Sequence, residues 1–159
     1  MPDVQMKRPN REGEIGMSEH NKALLRRFYD AWNEQKMDEV ASMIAPDFID
    51  HAMPPELAYG REGFLKARSL GKMALADVHI QLEHVFAEND YVITHVIIHA
   101  TQIGTYQSIP PTGKRFAMEA ISIMRLANDQ LVEHWECNNF PGLMKQLGAT
   151  ISLGNGTNT

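Results

Sequence analysis

At Val78 the hydrophobic pattern of this 159-residue chain changes period, and that change limits the folds open to it. Upstream, apolar residues recur at helical spacing, with Leu24, Leu25, Phe28 and Trp32 in one segment and Phe64 and Leu65 in another. Downstream they alternate. Val78, Ile80 and Leu82 interleave with His79, Gln81 and Glu83. Val92, Thr94, Val96, Ile98 and Ala100 interleave with Tyr91, Ile93, His95, Ile97 and His99. Alternation sends successive side chains to opposite faces of a strand. Helices first and a meander of strands afterwards predict an α+β fold, with helices covering one face of an antiparallel sheet.

Punctuation in the sequence divides the pattern into elements. Residues 1–16 are polar, carry two prolines and two glycines and show no period, so a flexible arm is expected there. Ser18 reads as the N-cap of the first helix, which Asn33 to Lys36 breaks. A short helix follows, with Asp38 and Glu39 in its first turn and Val40, Met43 and Ile44 as its apolar side; Pro46 is expected to end it. The segment DFIDHA reads as a short strand, MPPELAYG as a loop, and Arg61–Lys72 as a third helix. Turns at Glu88–Asp90, Pro110–Gly113 and Asn128–Asp129 separate the long strands. Pro141 opens a last helix with Leu143, Met144 and Leu147. One domain over residues 17–148 follows, with a loose Gly- and Asn-rich tail at 149–159.

Composition narrows the function classes. A net charge of −5 without clustered Lys and Arg argues against a nucleic-acid surface. No apolar run approaches the ~20 residues of a membrane span, and the N-terminus lacks a hydrophobic signal core. A single cysteine, Cys137, excludes an internal disulfide and every multi-cysteine metal site, so a reducing, cytoplasmic location is the expectation. Ten methionines serve adaptable core packing or a malleable wall for a bulky apolar ligand. Seven histidines raise the question of a metal, yet His95 and His99 lie about 13 Å apart along one strand. His79 and His84 fall on opposite faces unless a bulge intervenes. No metal site is expected.

The chemistry-bearing residues concentrate near the end of the sheet. His134, Glu136 and Asn138 share one face of the last strand. An acid beside an imidazole can move protons if the sheet curves around a cavity, where desolvation brings a carboxyl nearer the operating pH. The competing arrangement makes that face the wet side, with Leu131, Trp135 and Cys137 inward. Ser122 shares a face with Met118 and Ala120 on the neighbouring strand, so a ligand contact or a satisfied core serine both fit. Phe28 and Trp32, one helical turn apart, form a candidate pocket floor. His51 stands where it could lean over the pocket mouth, although Asp50 competes with it for the inward place.

The segments RRFYDAWNEQKMDEVASMIAPDFIDH, YGREGF, IPPTGK and LVEHWE resemble the SnoaL-like polyketide cyclases, the ester cyclase branch of the nuclear transport factor 2-like superfamily. The resemblance spans roughly Lys22 to Gly148. It implies a cone-shaped α+β barrel with a curved sheet wrapped around the N-terminal helices, dimerising through its outer sheet face and enclosing an apolar pocket. It also implies cofactor-free general acid–base chemistry, an aldol-type cyclisation or isomerisation, on a small to medium apolar carbonyl compound. Glu136 matches the family's acid, often Asp, with His134 and His51 as catalytic partners and Phe28, Trp32, Met118, Ser122 and Asn138 as substrate contacts. Ketosteroid isomerase chemistry is disfavoured, because Phe28 and Ser122 stand where those enzymes hold a Tyr and an Asp. A non-catalytic small-molecule binding protein of the same fold is the alternative.

Overall fold

A computed structural model describes residues 11–149. Four helices and five strands follow in the order α1 (Arg11–Asn33), α2 (Met37–Ser42), β1 (Ile44–Asp50), α3 (Gly60–Ala74), β2 (Leu75–Glu88), β3 (Tyr91–Gln102), β4 (Arg115–Ala127), β5 (Gln130–Asn138) and α4 (Phe140–Leu147). The strands form one curved, unclosed sheet in the order β1-β5-β4-β3-β2. This is the expected α+β arrangement of N-terminal helices inside a bent sheet, and α3 packs against both edge strands.

Three local features differ from the reading of the sequence. Helix α1 is already formed at Arg11, the first described residue, and passes through Ser18, because extending a helix costs far less than nucleating one. Gly13 and Gly16 weaken such an extension without stopping it. Of the expected arm and tail, residues 1–10 and 150–159 lie outside the described residues. Pro46 sits inside β1 instead of ending α2, a position open to proline because β1 is an edge strand. Finally, β1 runs parallel to β5, so only β2 to β5 form the antiparallel meander.

Four register shifts interrupt the ladders, and two of them set the facing of the histidines and acids on β5 and β2. On β5, Leu131 pairs with Leu126 while Glu133 pairs with Arg125, leaving Val132 as an extra residue. Such a bulge inverts the parity of the strand beyond it. Leu131 is therefore buried and His134 and Glu136 still point inward, while Glu133 and Trp135 turn outward. On β2, Glu83 is the extra residue between the Leu82–Val96 and His84–His95 pairs. The bulge puts His79 and His84 on the same outer face. On β3 and β4 the alternation is regular, and Val92, Thr94, Val96, Ala100, Phe116, Met118, Ala120, Ser122 and Met124 are buried.

The core has two parts. One lies under α1 and gathers Leu25, Phe28, Tyr29, Phe48, Val96, Met124 and Leu131. The other lies under α4 and gathers Ala100, Ile109, Phe116, Met118, Leu143 and Leu147. Helix α4 is fixed at both ends: the Asn139 side chain accepts from the Gly142 amide at 3.0 Å, and Gly148 closes it at φ 80°.

Candidate active site

A cavity of about 430 Å³ opens inside the curve of the sheet and draws its walls from both halves of the core. Its apolar lining includes Phe28, Trp32, Phe48, Phe64, Ile98 and Met118. Phe28, Trp32 and Phe64 meet with ring centroids 5.7–6.5 Å apart, so the floor is a rigid aromatic cluster. Into this wall the strands β1, β4 and β5 bring one connected group of polar side chains.

Asp50 is opposite His134 across the β1–β5 ladder, and Glu136 is opposite Ser122 across the β4–β5 ladder. The Asp50 carboxylate lies 3.0 Å from His134 Nδ1 and accepts the Ala52 amide at 3.0 Å. Asp50 is 5 % exposed, and the pair is held in place by the His51 amide donating to the His134 carbonyl at 2.8 Å. With Nδ1–H directed at Asp50, the other ring nitrogen turns to the cavity side. His134 Nε2 is buried, has no hydrogen-bond partner among the described residues, and lies 3.9 Å from Glu136 Oε2.

Glu136 has two long polar contacts, one to each carboxylate oxygen. Ser122 Oγ donates to Oε2 at 3.4 Å and Asn138 Nδ2 donates to Oε1 at 3.2 Å. Two phenols share its surroundings. The Tyr29 hydroxyl bonds Thr94 Oγ1 at 2.9 Å; burial pushes its pKa up to about 12, the Thr94 bond opposes this, and the Glu136 charge adds to it. Tyr106, on the loop after β3, is raised by burial first and then by the same carboxylate. Both phenols stay protonated at neutral pH and can act as donors.

The structure therefore brings together Glu136, His134, Ser122, Met118, Phe28 and Trp32 around one cavity. Asn138 touches Glu136 from outside the lining. The expected place of His51 changes: its ring stacks on Trp135 at 4.6 Å on the outer side, and Asp50 takes the inward position. Strand alternation accounts for it, since two neighbouring residues cannot both face in. Tyr29 completes the Leu25, Phe28, Trp32 stripe at helical spacing, a signal present in the sequence. Arg68, also in the lining, stands one helical turn after Phe64 on the same side of α3, so the burial of its stem is legible in the sequence; Tyr106, on a loop, has no comparable signal.

The family model described as SnoaL-like polyketide cyclase matches residues 22–147. Aklanonic acid methyl ester cyclase DauD from Streptomyces sp. (strain C5) is 29% identical over 130 residues, covering 79% of this chain and 80% of the relative. Nogalonic acid methyl ester cyclase from Streptomyces nogalater is 24% identical over 128 residues, covering 74% and 90%. Among solved structures, TsrD from Streptomyces laurentii superposes with a TM-score of 0.72 at 25% identity, over 80% of this chain and 94% of its own.

Proposed function

This chain belongs to the SnoaL-like polyketide cyclase family, and from that premise we propose that it closes a ring in a polyketide-type carbonyl compound by general acid–base catalysis. The observation that supports this reading is the Asp50–His134–Glu136 line set into an otherwise apolar cavity. Glu136 is the base. Its carboxylate takes a proton from a carbon flanked by carbonyl groups, and the resulting enolate carbon attacks a second carbonyl of the same molecule. One C–C bond forms, the attacked C=O becomes an alkoxide, and the proton returns to it as a hydroxyl. Every atom is supplied by the substrate and the proton carrier, so no cofactor is required.

Asp50 fixes the orientation of the His134 ring; with Nδ1–H held by Asp50, Nε2 meets the enolate or alkoxide oxygen as a donor only in the imidazolium form. Tyr29 and Tyr106 keep neutral hydroxyls beside the carboxylate. The relatives are aklanonic and nogalonic acid methyl ester cyclases, so a methyl ester of a polyketide acid is the first substrate class to test. The active form proposed is a homodimer joined through the outer face of the sheet.

The deciding experiment is Glu136→Gln assayed against a panel of such esters, with ring closure followed by absorbance and binding measured separately. Loss of a positioned general base lowers turnover by about 10²–10⁴-fold. The expected result is that loss with ligand affinity retained. Turnover within threefold of the parent protein would remove Glu136 from the mechanism. Absence of turnover in the parent protein on every ester, with tight binding intact, would favour a binding role for the cavity.

A further inference from the structure

Among the described residues, Arg68 is the only Lys or Arg in the cavity lining, and it has no acidic partner. It projects from α3 and places its guanidinium carbon over the Trp32 ring, 4.2 Å from the ring centroid. Its one hydrogen bond, from Nη2 to Gln35 Oε1, is 3.4 Å long and near the outer limit for such a bond. Arg68 Nε and the adjoining Trp32 Nε1 are both buried without an acceptor. Burial alone pulls the guanidinium below its usual range, and no neighbouring charge opposes that.

A half-buried cation with neither counter-ion nor full hydrogen bonding is costly to keep. The aromatic face recovers part of the cost, but it leaves Nε without an acceptor and the donor edge with one long bond. The two carboxylates of the cavity, Asp50 and Glu136, are engaged elsewhere, with His134, Ser122 and Asn138. The cavity thus carries negative groups at one place and a single unneutralised positive group at another. An apolar ligand with no charge would leave Arg68 as it is. One bearing an oxyanion would be turned so that the oxyanion meets the guanidinium and stays away from Glu136.

We infer that Arg68, over the Trp32 ring, is an oxyanion subsite that orients an apolar ligand in this cavity. The ligand class is an apolar compound bearing a carboxylate or an ionised enol or phenol. This deepens the cyclase reading and rests on it for the identity of the cavity. The subsite also sets which end of the substrate reaches Glu136, and Arg68 is a positioning residue in that sense.

Binding of small probes tests this without requiring turnover. Anthracene-2-carboxylate and anthracene-2-carboxamide share a ring system and differ in charge, and both report by fluorescence. The second pair is 4-nitro-1-naphthol, ionised at neutral pH, and its methyl ether. Charge-assisted hydrogen bonds correspond to about ten- to a hundredfold in affinity. In the parent protein at least one anion should bind tighter than its neutral partner by that factor. Arg68→Met should erase the preference, and Arg68→Lys should restore part of it. Which anion is preferred separates carboxylate from enolate recognition.

Arg68→Met should also leave the melting temperature of the ligand-free protein unchanged or higher, since an uncompensated charge is removed. Equal binding of anion and neutral partner in the parent protein, or an undiminished preference in Arg68→Met, would overturn the subsite. A melting temperature that falls steeply would make Arg68 a structural group and overturn it as well. The outcome is independent of Glu136→Gln: that variant should keep the anion preference whether or not it retains turnover.

Discussion

Tyr29 shows how one side chain can serve both the core and the site. It is 5 % exposed, its hydroxyl is satisfied by Thr94, and it lies within the influence of the Glu136 carboxylate. Its pKa is raised from 10.0 to about 12, first by burial. The sign of the linkage follows directly. A raised folded-state pKa means that the native state holds its proton when the unfolded chain has begun to lose it. The contribution is complete below pH 10 and is lost as the pH rises toward 12, by roughly 2–3 kcal/mol over that window. Urea denaturation of the parent protein and of Tyr29→Phe, repeated from neutral pH upward, isolates this term. Their stability difference should shrink and then change sign across the alkaline window, because the parent loses more than the neutral-pH difference and the variant loses nothing at this position. A constant difference would mean that the phenol is hydrated. At neutral pH the variant should be less stable by about 1 kcal/mol, because Thr94 loses its partner in a buried setting.

At the scale of elements, the exposed backbone of β2 is the weak point of an open sheet, and α1 covers it. β2 is an edge strand, so groups on its free side lack a ladder partner. Asn33, the last residue of α1, supplies one. Its Nδ2 donates to the Ile80 carbonyl and its Oδ1 accepts the Ile80 amide, both at 2.8 Å. The side chain acts as a single rung of a missing strand. Asn33→Ala should cost about 2–3 kcal/mol in chemical denaturation, since two backbone groups lose their partners at once; a cost below about 0.5 kcal/mol would show that water replaces them. Such clasps also explain what the sequence made legible. The element types and most of their extents follow from local period, and β3 and β4 kept their alternation for eleven paired residues. The inward set on β5 did not follow, because Leu131 and His134 can both face in only through the bulge at Val132, and a bulge is set by the register of β4. The same limit applied to His51 and Asp50, whose parity depends on pairing with β5. Pro46 misled in a simpler way: it forbids a central strand, and nothing local marks β1 as an edge.

For the whole molecule, the unresolved demand is the convex side of the sheet, which curvature turns away from the cavity. Register aligns Phe86, Ile93, Ile123 and Trp135 in one row across four strands, with His84, His95, Ile121 and Cys137 in the next. Phe86 is 62 %, Ile93 42 %, Ile121 43 % and Ile123 38 % exposed. A contiguous apolar row of this kind on a sheet face is what an interface between copies requires, and scattered surface residues would not produce it. The rim is polar: Arg125 pairs with Glu133 at 3.0 Å and His95 with Glu119 at 2.8 Å. An apolar centre inside a polar rim is the usual layout of an association surface. Ile123→Glu places a charge in the middle of the row while its strand neighbours Ser122 and Met124 continue to face the core. Light scattering coupled to size exclusion should give a dimer for the parent protein and a monomer for this variant. Binding of the anthracene probes should persist in the monomer, because the cavity lies on the other side of the sheet. A parent protein that is monomeric at every concentration tested, or a variant that remains dimeric, would show that these rows are not the interface. Loss of probe binding in a folded monomer would instead couple the outer face to the cavity across a single layer of strands.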